Sequence, residues 1–370
     1  MNNDILIPAD VLAAFGGHIL AAAGCSDDEG RRIADRLVAA NLTGHESHGI
    51  SRIPRYVQHM GIGLVFPGRS VTTVRDDGNT LVLDGDSGFG QIVGEAAVAL
   101  GCERAHAHGT AVVTLRNSGH LGRIGDWAED AAARGLISIH MVSVRGRSLA
   151  APFGGIDRRL ATSPFCAGVP LSDDDPLVLD FATSRIAEGK ALVGAVTGAA
   201  LPAGSFVDAE GRPSADPADL YGATTSDPVP NASAGRGALA AFGDHKGSGL
   251  SIMIEVLAGA LSGAGVSMTL ADRMEAPFRN AMLSIYLDPD RFAGRAYVES
   301  EVRAWIAYVK SARPAAGHDD VLVPGEKERR LRAKRLRDGV PLADGIWRRL
   351  VDVAAQSGVP DNAFPAVVAA

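Results

Sequence analysis

Within ANLTGHESHGISRIPRYV stand two histidines (His45, His48), a serine (Ser47), two arginines (Arg52, Arg55) and a tyrosine (Tyr56), in a chain that holds ten histidines altogether. Two chemistries suit such a cluster. His45 and His48 form HxxH and, if helical, could chelate a metal; yet no third ligand stands at a recognised spacing and Glu46 belongs to no HExxH. Alternatively, Ser47 and His48 exchange a proton with a substrate oxygen or nitrogen while the planar fork of Arg52 clamps a carboxylate through two parallel hydrogen bonds. A polar helix terminus serving only solvation has the same composition.

A second polar knot, RNSGHLGRIGDWAED (116–130), places His120 between Gly119 and Gly122, where backbone can approach a ligand closely; a solvated loop histidine is the plainer reading. Two glycine motifs bear on cofactors. GDSGFGQIVG (85–94) carries Gly88 and Gly90, but Gly94 comes one position too late for GxGxxG. GDHKGSG (243–249) has its lysine before the glycine and no GK[ST], so it is not a Walker A loop. It does open a helix-like run, where free N–H groups and the helix dipole suit a phosphate, or where the glycines simply make a turn.

These groups need elements to hold them. Pro8 suits the first turn of a helix ending near Gly24. Ser26 and Glu29 have capping-box spacing for a second helix, with Ile33, Ala34, Leu37 and Val38 on one face, running out by Gly44 and delivering the histidine stretch at its end. From Val71 the texture changes to strands: VTTVRDDGNTLVLDGD, TAVVTL (110–115) and ISIHMVSV (137–144), separated by alanine-rich segments 94–108 and 125–134, then SPFCAGVP, PLVLDFA and MLSIYLD. Residues 198–238 read as a turn-rich excursion with little regular structure, and SIMIEVLAGALSGA (251–264) as a buried helix. GEKERRLRAKRLRDG and LADGIWRRLVDVAAQSG are helical again. The pattern predicts a mixed α/β centre: residues 73–313 as one domain, and a discontinuous helical domain from 1–72 and 314–370.

At 370 residues two domains are expected. A net charge of −7 argues against nucleic acid. Cys25, Cys102 and Cys166 make neither a disulfide framework nor a zinc pattern. The first residues lack the basic region of a signal peptide, and no run of about twenty apolar residues appears, so neither export nor a membrane span is expected and a cytoplasmic location is the default.

Taken together the motifs resemble one family, the malate/L-lactate dehydrogenases of non-Rossmann type, which includes ureidoglycolate and sulfolactate dehydrogenases and Δ1-piperideine-2-carboxylate reductases. GHESHGISRIPRYV resembles its GhxSHGxxRxxxY signature and NSGHLGRIGDWA its second histidine loop; APFGG (151–155), TSPFCAGVP (162–170), LDFATS (179–184), the run 242–263 and VPGE (323–326) resemble its later blocks in order. The resemblance implies a mixed-sheet nicotinamide-binding domain beside the helical one, a homodimer with sites near the subunit boundary, and NAD or NADP as cofactor. By position it implies a catalytic cluster of Ser47, His48, Arg52 and His120, with Arg52 and Tyr56 on the substrate. It implies dinucleotide contacts from His120, Gly122, Asp180, Phe181, Ala182, Thr183, Ser184, Lys246, Pro324, Gly325 and Glu326, and no metal. Ser163 departs from the family's asparagine and Asp244 from a glycine, and segment 222–237 is longer than the family needs.

The implied reaction is reversible hydride transfer to C2 of a small 2-oxo acid carrying a carboxylate. It needs a proton for the developing alkoxide and a cation for the carboxylate. His48, with Ser47 relaying, is the expected donor and His120 the alternative. A cyclic 2-imino acid would use the same groups. A metal-dependent hydrolase and a non-catalytic dinucleotide-binding protein are the rival classes.

Overall fold

The computed structural model describes residues 4–146, 148–172, 174–222, 231–232, 234–268 and 279–365. Strand β1 (Asp4–Ile7) leads into α1 (Ala9–Ala22) and α2 (Asp27–Leu42), and α3 (Ile53–Gly61) follows the histidine stretch. Ser26 caps α2 as its spacing predicts, its Oγ accepting the Glu29 N–H at 3.2 Å. The reciprocal half of the box does not form, because the Glu29 carboxylate accepts the Gly68 N–H instead, at 2.9 and 3.0 Å.

The chain continues through β2 (Thr72–Asp76), β3 (Thr80–Asp84), α4 (Gly90–His108), β4 (Thr110–Ser118), α5 (Gly125–Ala133), β5 (Ile137–Arg145), β6 (Phe165–Val169) and β7 (Leu177–Phe181). Then come α6 (Glu188–Thr197), β8 (Phe206–Val207), β9 (Pro213–Ser214), α7 (Ala218–Tyr221), β10 (Ala238–Leu239) and α8 (His245–Ile254). The last elements are β11 (Arg279–Leu287), α9 (Arg295–Lys310), α10 (Glu326–Asp338), β12 (Val340–Ala343) and α11 (Asp344–Ser357).

Seven strands form one mixed sheet in the order β2-β3-β4-β11-β5-β6-β7. β3 and β4 are parallel and the other neighbours antiparallel. Alternation along β11 serves both faces. Met282 and Tyr286 join the cluster under α4 and α5, while Leu283 joins Ile254 and Ala258 on the side of α8. Gly101 lets α4 lie on the sheet, since a Cβ there would come 2.2 Å from the Tyr286 ring. A separate apolar cluster runs from Ile5 to Phe89 and includes Val340, Leu342, Trp347 and Leu350, so both chain ends pack together around α1, α2 and α3.

Two expectations are corrected. Residues 251–264 are not one buried helix: α8 starts at His245, residues 255–260 continue it with π-helical bonding, and Ile252, Met253, Val256 and Leu261 are exposed. The excursion 198–238 holds more order than its turn chemistry suggests. β10-β8-β9 form a small sheet, and Phe206, Leu220 and Leu239 share an apolar cluster with Leu149 and Ile186. Residues 223–230 and 233, part of the long 222–237 stretch, lie outside the described residues. Helix α9 was not among the expected elements, and none of its residues is fully buried.

Candidate active site

The histidine stretch is two short 3-10 turns, Glu46–His48 and Ile50–Arg52, between α2 and α3. Asn41, buried in the last turn of α2, ties them: its Oδ1 accepts the Ile50 N–H at 2.7 Å. Gly49 is obligatory beside it, because a Cβ would sit 2.3 Å from that oxygen. From α10, Arg335 donates to the Asn41 carbonyl and pairs with Glu46 at 2.6 Å. Arg52 Nε donates to the Ser47 carbonyl, closing the turn. Ser47 leans on α6, where a Cβ at Gly189 would come 2.2 Å from its own.

The two histidines of HxxH part company here. His45 turns to Glu328, 3.9 Å away on α10, and His48 turns to His120. Among the described residues no three metal-ligating side chains gather.

His120 lies in the loop between β4 and α5, held on three sides. Gly119 N–H donates to the Gly88 carbonyl at 2.9 Å, and Leu121 N–H to Asn280 Oδ1 on β11 at 2.9 Å. The start of α4 presses on it directly, since a Cβ at Gly90 would come 2.1 Å from the His120 carbonyl oxygen. The glycines of GDSGFGQ, which make no Rossmann fingerprint, thus serve close packing against this loop. The outcome is a chain of four side chains. Gln91 Nε2 donates to Tyr56 Oη at 2.8 Å, Tyr56 Oη lies 2.7 Å from His120 Nδ1, and His120 Nε2 lies 3.1 Å from His48 Nδ1. The two imidazole planes are within 5° of parallel.

Burial, reinforced by Arg52, lowers His48 to about 3 and His120 well below the ordinary imidazole range. Burial pushes Tyr56 up to about 12, against the hydrogen bond from Gln91 and the charges of Arg52 and Arg55. Near neutral pH the chain therefore holds two neutral rings and a neutral phenol. A recess of about 10 Å³ beside it, roughly the size of one water, is lined by Tyr56, His59, Phe89, His120 and Arg279. Asn41, a lone amide inside a helical pattern, and Gln91, a lone amide after a glycine-rich stretch, carry no sequence signal of their place here.

The other expected residues line up along the end of β7. The Asp180 carboxylate accepts the Gly125 N–H at 2.8 Å and lies 4.0 Å from Arg123, a buried cation also bound to Asp126 and Glu129. The Phe181 ring packs against Phe165 and Phe242, and Ala182 follows it, half-buried. The N–H and Oγ1 of Thr183 both donate to the Thr162 carbonyl, its own carbonyl accepts the Phe242 N–H, and Ser184 Oγ donates to the Ile186 carbonyl. Gly247 abuts the same Thr183 carbonyl, where a Cβ would come within 2.7 Å, so the GDHKG turn rests on residues 183–184 with Lys246 exposed. Gly122 has a positive φ of 75°, and a Cβ on it would lie 3.4 Å from Gln91.

Pro324, Gly325 and Glu326 form the turn before α10. A Cβ at Gly325 would come 3.3 Å from the Val178 backbone, and Glu326 is held by Lys310 at 2.7 Å. Gly325, Val178, Thr43, Glu129 and Arg329 border a cavity of about 580 Å³, within the range of ligand clefts, about 300–1,000 Å³. The segment 180–184 thus adjoins the start of α5 and the GDHKG turn, with the 324–326 turn resting on the same strand, an arrangement that fits an extended dinucleotide.

Both departures have a local setting. Ser163 Oγ donates to Glu255 at 3.3 Å, a buried carboxylate also held by Ser143 and Ser267. Asp244 takes a backbone conformation that favours glycine, with φ 56° and ψ −110°, at a strain cost of about 1–3 kcal/mol.

A sequence profile of the malate/L-lactate dehydrogenase family matches residues 7–351. Hydroxycarboxylate dehydrogenase B of Escherichia coli (strain K12) is 40% identical over 363 residues, 97% of this chain and 96% of that protein. L-lactate dehydrogenase of Cupriavidus necator is 37% identical over 343 residues, 92% and 95% of the two. The solved structure of malate dehydrogenase from Pyrococcus horikoshii OT3 superposes with a TM-score of 0.84 at 29% identity, covering 97% of each chain.

Proposed function

The chain belongs to the malate/L-lactate dehydrogenase family and is an oxidoreductase, and from that premise we propose that it moves a hydride between NAD(P) and C2 of a small 2-hydroxy or 2-oxo acid. The observation that carries this reading is the His48–His120–Tyr56 chain closing beside Arg52.

The nicotinamide, when bound, supplies or accepts the hydride. His120, Gly122, the segment Asp180–Ser184, Lys246 and the turn Pro324–Glu326 would hold it. Arg52 orients the substrate by its carboxylate, and its planar fork suits that anion better than a lysine would. His48 hands a proton to the substrate oxygen as C2 is reduced and takes it back on oxidation. Its low basicity keeps the ring neutral, so the transferred proton is the one on its own N–H, replaced from His120 behind it. Ser47, held by the same turn, stands next to this proton path.

Homodimerisation is part of the same proposal. Exposed Ile252, Met253, Val256 and Leu261 run along α8 and its π-helical extension, an apolar strip of the kind that marks association surfaces.

The test is loss of reduced-nicotinamide absorbance, with NADH and NADPH separately, across 2-oxo acids (including malate, lactate and sulfolactate partners) and cyclic 2-imino acids. Oxidation of either cofactor by a 2-oxo acid is the expected result, and the pair used identifies cofactor and substrate class. Turnover with the imines alone would move the reading to imine reduction. Binding without any turnover would leave a dinucleotide-binding protein.

A further inference from the structure

Tyr56 Oη has two hydrogen-bond partners among the described residues, Gln91 and His120. The amide nitrogen of Gln91 can only donate, and a phenol has a single hydrogen. With Gln91 turned nitrogen-first towards Oη, that hydrogen goes to His120 Nδ1. His120 Nδ1 is then an acceptor, its Nε2 carries the ring hydrogen, and that hydrogen goes to His48 Nδ1. His48 in turn carries its hydrogen on Nε2. One side chain that does not titrate sets the direction of every bond in the chain.

We propose that Gln91 is a positioning residue for proton transfer: by occupying Tyr56 Oη with an N–H it commits the phenol hydrogen to His120 and makes His48 Nε2 the proton-bearing end of the chain. Gln91 is held for this task. It lies buried in the first turn of α4, next to Gly90, whose missing Cβ lets the helix touch the His120 backbone. Its Oε1 is buried without a hydrogen-bond partner among the described residues, so the Nε2 bond to Tyr56 is its contribution here. The opposite orientation of the amide would place Oε1 on Oη and reverse every bond of the chain, which is the alternative the tautomer measurement below separates.

The transfer balances. As the proton leaves His48 Nε2 for the substrate oxygen, His48 Nδ1 takes the hydrogen of His120 Nε2, and His120 Nδ1 takes that of Tyr56 Oη. Both rings end neutral, and the negative charge rests on Oη, where the Gln91 N–H and the Arg52 and Arg55 charges stabilise it. Oxidation retraces these steps from the phenolate. Gln91 thus acts on the same oxygen as a fixed donor in both directions.

This inference rests on the oxidoreductase reading above, and its first test is independent of turnover. Nitrogen-15 spectra of the resting protein, without cofactor or substrate, report which nitrogen of each ring carries hydrogen. His48 and His120 are both expected as Nε2–H tautomers, and an Nδ1–H form at either ring overturns the proposal. The second test is Gln91→Met, with binding of reduced cofactor as the folding control. Loss of the donor destabilises the phenolate, so at a fixed pH below its pKa 2-hydroxy acid oxidation should slow by about 10–100-fold while KM for the acid stays put. An oxidation rate equal to the parent's also overturns it. Should the variant fail to bind cofactor, the tautomer measurement on the unaltered protein still decides.

Discussion

In the proposed mechanism His48 and His120 act as neutral rings, since burial and the neighbouring Arg52 hold both far below the ordinary imidazole range. In that mechanism the proton comes from an N–H of a neutral ring, and its hydrogen is replaced from Tyr56. His48→Ala breaks that path at its delivering end. Turnover should fall by about 10²–10⁴, the usual worth of a positioned acid–base group, while titration by fluorescence still shows reduced cofactor binding. Unchanged turnover would remove His48 from the mechanism. At this scale the sequence was readable where residue type carries chemistry. Ser47, His48, Arg52 and Tyr56 fall within ten residues, and His120 sits among glycines, so each stood out. Asn41 and Gln91 did not, because an amide within a helical pattern or after a run of glycines looks the same whether it faces solvent or anchors a site.

Helices deliver these groups by their ends. α2 stops at Asn41 and Leu42, the beginning of α4 supplies Gly90 and Gln91, and α10 reaches back with Arg335. The close contact at Gly90 is the most demanding of these. Its φ is ordinary, so the constraint is space alone: any Cβ meets the His120 carbonyl at 2.1 Å, backbone that cannot swing aside. Gly90→Ala should push α4 away from His120 and lengthen the Gln91–Tyr56 and Tyr56–His120 bonds together. A misplacement of about 1 Å costs on the order of 10²-fold in rate, so kcat should drop by that order and the His120 tautomer should become mixed; parent-like kcat would show that the loop yields. Element boundaries that rest on periodicity and caps, such as Ser26 at α2, were legible in the sequence. The run 251–264 was not, because hydropathy records apolar side chains without recording which of them another surface covers. α9 was missed although Val298, Val302, Ile306 and Val309 recur at helical spacing, a stripe that the fold leaves only half-buried.

Across the whole molecule the mixed sheet and the joined chain ends enclose histidines that the unfolded chain would expose. His45, His48 and His140 are each lowered from 6.5 to about 3, in every case chiefly by burial. A group whose folded pKa is depressed lends stability above its unfolded value and loses it as pH falls, here from about 6.5 towards 3. Asp126 works the other way. Burial raises it to about 7, so its contribution is present at low pH and is lost as pH rises through that value. With His59 and His120 lowered as well, the depressed histidines outnumber the raised carboxyls Asp126, Glu29 and Asp180, which makes the slope positive between about pH 4 and 6.5, and the thermal midpoint should fall steadily as the protein is acidified across that window. His140 isolates the effect. It bonds only to serines among the described residues, Nδ1 to Ser284 at 2.9 Å and Nε2 to Ser138 at 3.0 Å, inside the sheet and outside the proton chain. His140→Gln should therefore keep cofactor binding and flatten the dependence of unfolding free energy on pH by about 1.4 kcal/mol per pH unit, the worth of one proton. Denaturant unfolding at several pH values reads this directly. A slope equal to the parent's would mean that His140 titrates alike in the folded and unfolded chain, and that the acid sensitivity resides in the site histidines alone.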